Sequence, residues 1–343
     1  MTEQQYLLEL EQLLMDVQEA DREDILRDVA EYFASGRVEG KQDEDMIEEL
    51  GTPQAFANEL RETVQTLTTE HHEPTTVMKS SKVAFQNVSI KVKNAHVHIV
   101  PSTDQYAHAT LETEDDLGVL MDIVDGTLEI RIETNRPFRL TDLLTLFVNK
   151  TPTLRVELPQ HEFNGVYVEN RHGATDIKGI VAREIEVQNA NGRVEGERLR
   201  VHRGFLKSSN GRVSLVSSVG SEWEVTSSNG RVEVKKTTGN LKAKSSNGRV
   251  DLEQIDGAVK AKSSNGKVQL VADTITHPIN MDTKNGKIEL QLKEKPTNTT
   301  IRGKTKNGRV EMFGSRTNEY AAGNGANEVM LTSWNGNVIV TDY

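Results

Sequence analysis

Along the first 67 residues the apolar positions recur at three-and-four spacing, the period of a helix with one buried face. Tyr6, Leu7, Leu10, Leu13, Leu14 and Val17 make the first stripe, and Ile25, Leu26, Val29, Tyr32 and Phe33 the second. Met46, Ile47 and Leu50 make the third, and Ala55, Phe56, Leu60, Val64 and Leu67 the fourth. The punctuation fits four short helices: Asp21 as a cap before the second, Gly36 and Gly40 after it, and Gly51-Thr52-Pro53 between the third and fourth. Residues 68–82 lose the period and gain Thr, Ser and Pro, so a linker is expected there. From Val83 onward the period becomes two, through Phe85, Val88, Ile90, Val92, Val97 and Ile99, which predicts strands. The apolar stretch 138–148 breaks this alternation and reads as a short helix or an apolar loop, a contact site if exposed.

Over the second half, one short phrase recurs. Asn-Gly pairs stand at Asn191-Gly192, Asn210-Gly211, Asn229-Gly230, Asn247-Gly248, Asn265-Gly266, Asn285-Gly286, Asn307-Gly308 and Asn335-Gly336, at spacings of 19, 19, 18, 18, 20, 22 and 28. A period near twenty implies stacked supersecondary units. Two apolar residues and a Ser or Thr usually precede the pair at alternating positions, and a cation and an aliphatic residue usually follow it; Leu241, Ala243, Ser245, Asn247, Gly248, Arg249, Val250 and Leu252 are one clear copy. Asn and Gly tolerate positive φ, so the pairs are read as sharp structural turns. Ser208, Ser227, Ser245, Ser263, Thr283, Thr305 and Ser333 would form an inward hydroxyl row, and the Asn amides a ladder from copy to copy. Gly239 and Gly257 would mark the opposite corner, between strands of about six residues. The expectation is an α+β multidomain chain: a small N-terminal helical bundle followed by an all-β repeat domain, a β-solenoid, with an antiparallel β-meander as the alternative. Its parts would be an acidic helical interaction module at 1–67, the linker at 68–82, an irregular β lead-in region at 83–160 and the solenoid at 161–343.

Two stretches resemble known families. The Tyr-Leu first helix, D-R-E-D-I-L, the aromatic before Gly36, Gly40-Lys41, the acidic D-E-D and L-G-T-P at 50–53 resemble the bacterial HAAS-type signalling domain. That resemblance implies a protein-interaction or sensory role and no catalytic residues. The eight Asn-Gly turns resemble the bacterial putative-adhesin family of β-strand-repeat proteins of unknown function, over roughly residues 84–343. It implies a β-solenoid and surface binding, and relatives in Gram-positive bacteria are associated with cell-envelope stress signalling.

Charge divides the chain. Residues 1–70 hold 19 acidic against 5 basic side chains, a net of −14; residues 71–160 hold 12 against 9, a net of −3; residues 161–343 hold 21 against 27, a net of +6. An acidic module joined to a mildly basic body can engage different partners. Within the body, Arg193, Arg212, Arg231, Arg249, Lys267, Lys287 and Arg309 would form one column, the candidate binding face. Glu195, Glu233, Asp251, Glu289 and Glu311 would stand beside it. The chain has no cysteine, which excludes thiol catalysis, disulfides and Cys-based zinc sites. No apolar run is long enough to span a membrane and no basic-then-apolar leader opens the chain, so a cytoplasmic location is expected, or an exported or cell-surface one if a leader was removed. His71-His72 and the strand pair His96 and His98 are weak metal candidates, and no metal or cofactor is expected. Nucleophile, phosphate-loop and zincin motifs are absent, so no catalytic residue is assigned. Nucleic acid is not expected either, because acids interleave with the bases and Trp223 and Trp334 are too few for a stacking platform. The function expected is non-catalytic binding or scaffolding, with an unknown protein partner on the helical module and a polymer or envelope component on the solenoid face.

Overall fold

The computed structural model describes residues 1–16, 22, 25–27, 29–30, 32–33, 37, 42–58, 75–82, 84–113, 117–134 and 151–342. The chain forms two compact units, one built on residues 1–75 and the other on the β-strand body.

In the first unit the helices Glu3–Leu13 and Asp43–Leu50 and the helical residues 53–58 carry the predicted stripes. Tyr6, Leu10, Leu14, Ile25, Val29, Phe33, Met46, Leu50, Phe56 and Ala57 are buried together, with Leu7, Leu13, Leu26, Tyr32 and Ile47 packed at the margin. Alternating aliphatic and aromatic side chains close the core, and the Tyr6 and Phe33 rings meet edge to face at 5.8 Å. Thr2 and Gln5 form a reciprocal capping box that satisfies two free N–H groups of the first turn. Gly51, at φ 75°, ends the helix before it, and Thr52 Oγ1 accepts from Ala55 N at 3.2 Å to start the next turn. Arg37 bridges the two named helices, reaching Glu3 at 2.6 Å and Asp43 at 2.9 Å. The predicted Asp21 cap, the glycines 36 and 40, and the apolar positions 60, 64 and 67 lie outside the described residues.

The body is a stack of parallel coils. One face holds, in stacking order, Asn87–Asn94, Phe163–His172, Val181–Asn189, Arg200–Ser208, Val219–Ser227, the second half of Val232–Ser245, Val259–Ser263 and Ile279–Thr283. The other holds His96–Pro101, Thr175–Lys178, Val194–Glu197, Val213–Val216, the first half of Val232–Ser245, Val250–Asp256, Val268–Ala272 and Ile288–Leu292. Equivalent residues pair across coils, as in Ala243↔Ala261↔Met281 and Val250↔Val268↔Ile288. Their side chains are buried while those between them are not, so the two faces enclose a narrow aliphatic core. This is a β-solenoid; the parallel register of the Asn-Gly coils rules out the antiparallel meander.

Four local features differ from the expectation. The stack draws in residues well before 161: Asn87–Pro101 forms a coil in register with Phe163–Lys178 on one side and pairs in parallel with Thr127–Thr134 and Thr153–Leu158 on the other. Within the expected linker, Thr75–Ser81 is a strand that pairs with Ala107–Thr113; residues 68–74, like 138–148, lie outside the described residues. The strands after the early corners are only four residues long while those before them are nine or ten. The chain turns back through Arg198, Ser217, Lys236 and Gln254, all at φ 51–52°, a left-handed column that continues Gly179 at φ 67° and is not the one marked by Gly239 and Gly257.

The order of coils also departs from the order of the chain. Asn327–Ser333 pairs in parallel with Ile279–Thr283 on one side and Thr299–Thr305 on the other, while Val338–Asp342 lies between Ile288–Leu292 and Val310–Met312. The C-terminal coil is thus inserted between the two coils that precede it. Antiparallel strands flank the stack: Ala107–Thr113 lies against Thr153–Leu158 near one end and Glu319–Ala322 against Thr299–Thr305 at the other, which covers edges that would otherwise pair with another chain.

Candidate functional site: the Asn-Gly corner and its flanking faces

Each corner is held by three contacts. Ser245 Oγ accepts from Gly248 N at 2.9 Å within its own coil and donates to Gly230 O of the preceding coil at 3.0 Å. Ser208, Ser227, Ser263 and Thr283 repeat the pair of bonds, and Ser333 and Thr305 repeat the bond between coils. A buried hydroxyl therefore satisfies backbone groups that the corner withdraws from the sheet. Outside it the Asn amides form a continuous ladder through Asn191, Asn210, Asn229, Asn247, Asn265, Asn285, Asn335 and Asn307, each Nδ2 donating to the Oδ1 of the one before it at 2.6–2.8 Å. The order 285, 335, 307 records the inserted coil. The hydroxyl row continues in Asn189, whose amide donates to Gly173 O at 2.7 Å and accepts from Gly192 N at 2.9 Å. Its place in the repeat, two before Asn191, is the signal that could have found it.

The glycines serve a different purpose from the one expected. Neither residue of any of these eight Asn-Gly pairs has a positive φ. A Cβ on Gly211, Gly230 or Gly248 would instead stand 2.0 Å from the carbonyl oxygen of the glycine one coil earlier, and Gly192, Gly266, Gly286, Gly308 and Gly336 are as crowded. Close approach of stacked backbones excludes a side chain here.

The cationic column follows the corner as expected, but its charges are largely matched. Arg193 reaches Asp176 at 3.1 Å, Arg212 lies 4.0 Å from Glu233, and Arg231 and Arg249 share Asp251 at 3.5 and 2.6 Å. Lys267 and Lys287 share Glu289. Burial works to raise the Glu289 carboxyl, yet hydrogen bonds from the two lysines outweigh it and hold the group below the usual range. Lys235 does the same for Glu233. The inserted coil places Asn337 between Lys287 and Arg309, and its Oδ1 accepts from Arg309 N at 3.0 Å. A column neutralised in this way binds its own neighbouring coils.

Two further features lie elsewhere on the body. A groove of about 540 Å³ runs across the face before the corner, lined by Phe205, Trp223, Leu241, Ile279 and Met330 with Glu224 and Lys242 at its rim. Trp223 is buried over Gly204 and donates through Nε1 to Thr238 O at 3.2 Å, whereas Trp334 is 55% exposed with Lys306 Nζ 4.4 Å above its ring. The histidines are divided: His98 faces Asp176 at 3.2 Å, and His96 Nδ1 accepts from Ala174 N at 3.1 Å. No group of three or more metal-ligating side chains occurs among the described residues, and residues 71 and 72 are not among them. Near the N-terminal end of the body, Asp104 accepts from the Tyr106 backbone and from the His108 and Ser102 side chains, which hold its carboxyl down at about 2.

A parallel solenoid of about twenty residues per coil, locked by Asn, Ser and Gly rows and preceded by a small helical unit, defines a structural repeat protein with an appended helical domain. The chain belongs to the Toastrack DUF4097 family, which it matches over residues 85–341, and residues 5–59 match the HAAS domain. Among solved structures it is similar to a putative adhesin from Parabacteroides distasonis ATCC 8503, with 12% identity, 78% of this chain and 97% of that chain covered, and a TM-score of 0.49. A putative adhesin from Bacteroides fragilis NCTC 9343 shows 15% identity over 78% and 97% of the two chains with a TM-score of 0.40. A putative lipid binding protein from Parabacteroides distasonis ATCC 8503 shows 12% identity over 78% and 96% with a TM-score of 0.45. No curated protein matches the chain.

Proposed function

We propose that this is a non-catalytic binding and scaffold protein, a bacterial signalling or cell-envelope-stress accessory that acts through protein–protein interaction. The observation that carries the proposal is on the first helix. Leu8 on the helix and Met15 in the turn just past its C-cap are 60% and 70% exposed, apolar side chains that the unit leaves outside. The core of the unit is filled by Tyr6, Leu10 and Leu14 without them. Outward apolar side chains on an acidic helical unit suit the groove of a protein partner whose rim is basic. The HAAS match of residues 5–59 supports the same role.

The proposed place of action is the cytoplasm, where such a unit would meet signalling proteins. No helix among the described residues is long and apolar enough to cross a membrane. The test is cross-linking in the source cells with the tagged full chain, beside its Leu8→Glu/Met15→Glu variant. Both substitutions are on exposed positions, so the variant keeps its helical signal and melting temperature. The partner cross-linked by the natural chain is lost from the variant; an unchanged partner set would sink the proposal. An adhesin-like, polymer-binding function is the second reading, and the basic strip described next favours it.

A further inference from the structure

The phrase Lys-Ala-Lys-Ser-Ser-Asn-Gly occurs at 242–248 and again at 260–266. In both copies the alanine and the first serine point inward and are buried, so the lysines point outward. Register sets Lys242 beside Lys260 and Lys244 beside Lys262 on adjacent coils. Coils rise by about 4.8 Å and alternate residues of a strand lie about 6.6 Å apart, so the four cations form a compact square. Lys207 extends one column, two coils back through Thr226, and exposed Lys284 stands on the coil after Lys262.

The acids on this strip do not balance it. Glu224 pairs with Lys242 at 2.8 Å and Asp282 lies 3.4 Å from Lys262. Among the described residues no carboxylate lies within ion-pairing distance of Lys244 or Lys260. This contrasts with the column from Arg193 to Lys287, where each cation has a carboxylate partner. The cationic surface with charge to spare is thus on the face before the corner.

We infer that this strip binds a linear phosphate-linked polymer lying along the stacking direction of the coils. The cations repeat along a line, as charges on such a chain do, and a free ammonium pairs with phosphate as a point charge. The outward neighbours Thr226, Ser246, Ser264 and Asn280 are polar, and the nearest apolar side chains in the Lys242–Lys260 column, Phe205 and Met330, stand two coils away on either side. Stacking of nucleobases needs aromatic platforms, which the square does not hold. The chain as a whole carries −11, so attraction for a polyanion comes from a local excess of cations and not from the overall charge. This inference does not depend on what the helical unit recruits.

The test titrates the full chain with long-chain inorganic polyphosphate at several salt concentrations, with phosphatidylglycerol vesicles and single-stranded DNA as parallel ligands. Binding to polyphosphate falls with added salt, weakens roughly tenfold in Lys244→Glu/Lys260→Glu as two ionic contacts become repulsive, and survives in Lys244→Arg/Lys260→Arg. Reversal of the paired Arg212 to Glu leaves it unchanged. Lys207→Glu/Lys284→Glu gives an independent reading at the margin of the strip and weakens binding in the same direction. Failure of the natural chain to bind polyphosphate at physiological salt overturns the inference, as does an equal loss from Arg212→Glu. Vesicles or DNA bound as tightly as polyphosphate would overturn it as well, by assigning the strip to a membrane or to nucleic acid.

Discussion

A methyl group on Gly230 would stand 2.0 Å from the carbonyl oxygen of Gly211, and both atoms belong to backbone fixed by hydrogen bonds on either side. Relief requires the coils to part, so Gly230→Ala is expected to destabilise the body by about 3 kcal/mol, the upper range for overpacking. Ser245→Ala leaves Gly248 N and Gly230 O without their hydroxyl partner and is expected to cost about 2 kcal/mol. Urea unfolding of the two variants checks the order. If Gly230→Ala is the milder, the corner does not depend on close approach. At this scale the identity of the residues was legible but the reason for one of them was not. Positive φ is a local property and suggests itself for any Asn-Gly pair, whereas the contact that excludes a side chain lies nineteen residues away in sequence and one coil away in space.

The coil is the element of this fold, and its sides were readable from alternation alone, because a strand that buries every second residue announces which ones face inward. Leu241, Ala243, Val250 and Leu252 are buried as that alternation requires. Since each coil meets only its neighbours, stability is a sum over coils and interfaces. Deletion of residues 247–264 joins Ser246 to Asn265 and leaves every row in phase, so that variant folds cooperatively with a lower unfolding midpoint. Deletion of residues 247–255 alone puts inward positions outward and gives no cooperative transition. Circular dichroism during thermal unfolding separates the two; a cooperative transition in both would show that register is not what holds the stack. The chain's return through Arg198, Ser217, Lys236 and Gln254 was invisible to this kind of reading, because these residues share a backbone conformation and no side-chain chemistry.

For the whole molecule, the inserted C-terminal coil has a mechanical consequence. Residues 299–312 meet the rest of the stack through Asn327–Ser333 and Val338–Asp342, so the chain's last coil holds the one before it in place. Removal of residues 326–343 is expected to leave the amides of 299–312 open to hydrogen exchange while those of 163–292 stay protected. Protection of 299–312 in the truncated chain would mean that this coil can dock directly on Ile279–Thr283.

The sequence by itself determined the two kinds of unit, the period of the body, the inward and outward faces and the Ser and Asn rows, since each follows from residue type and spacing within one or two coils. Only the tertiary structure decided that Asn335 sits between Asn285 and Asn307, that the column from Arg193 to Lys287 is paired with carboxylates, and that Lys244 and Lys260 are not. Coils with the same inward residues at the same phase are interchangeable as neighbours, so composition cannot order them. Which charges meet depends on that order and on the side of the sheet each residue faces.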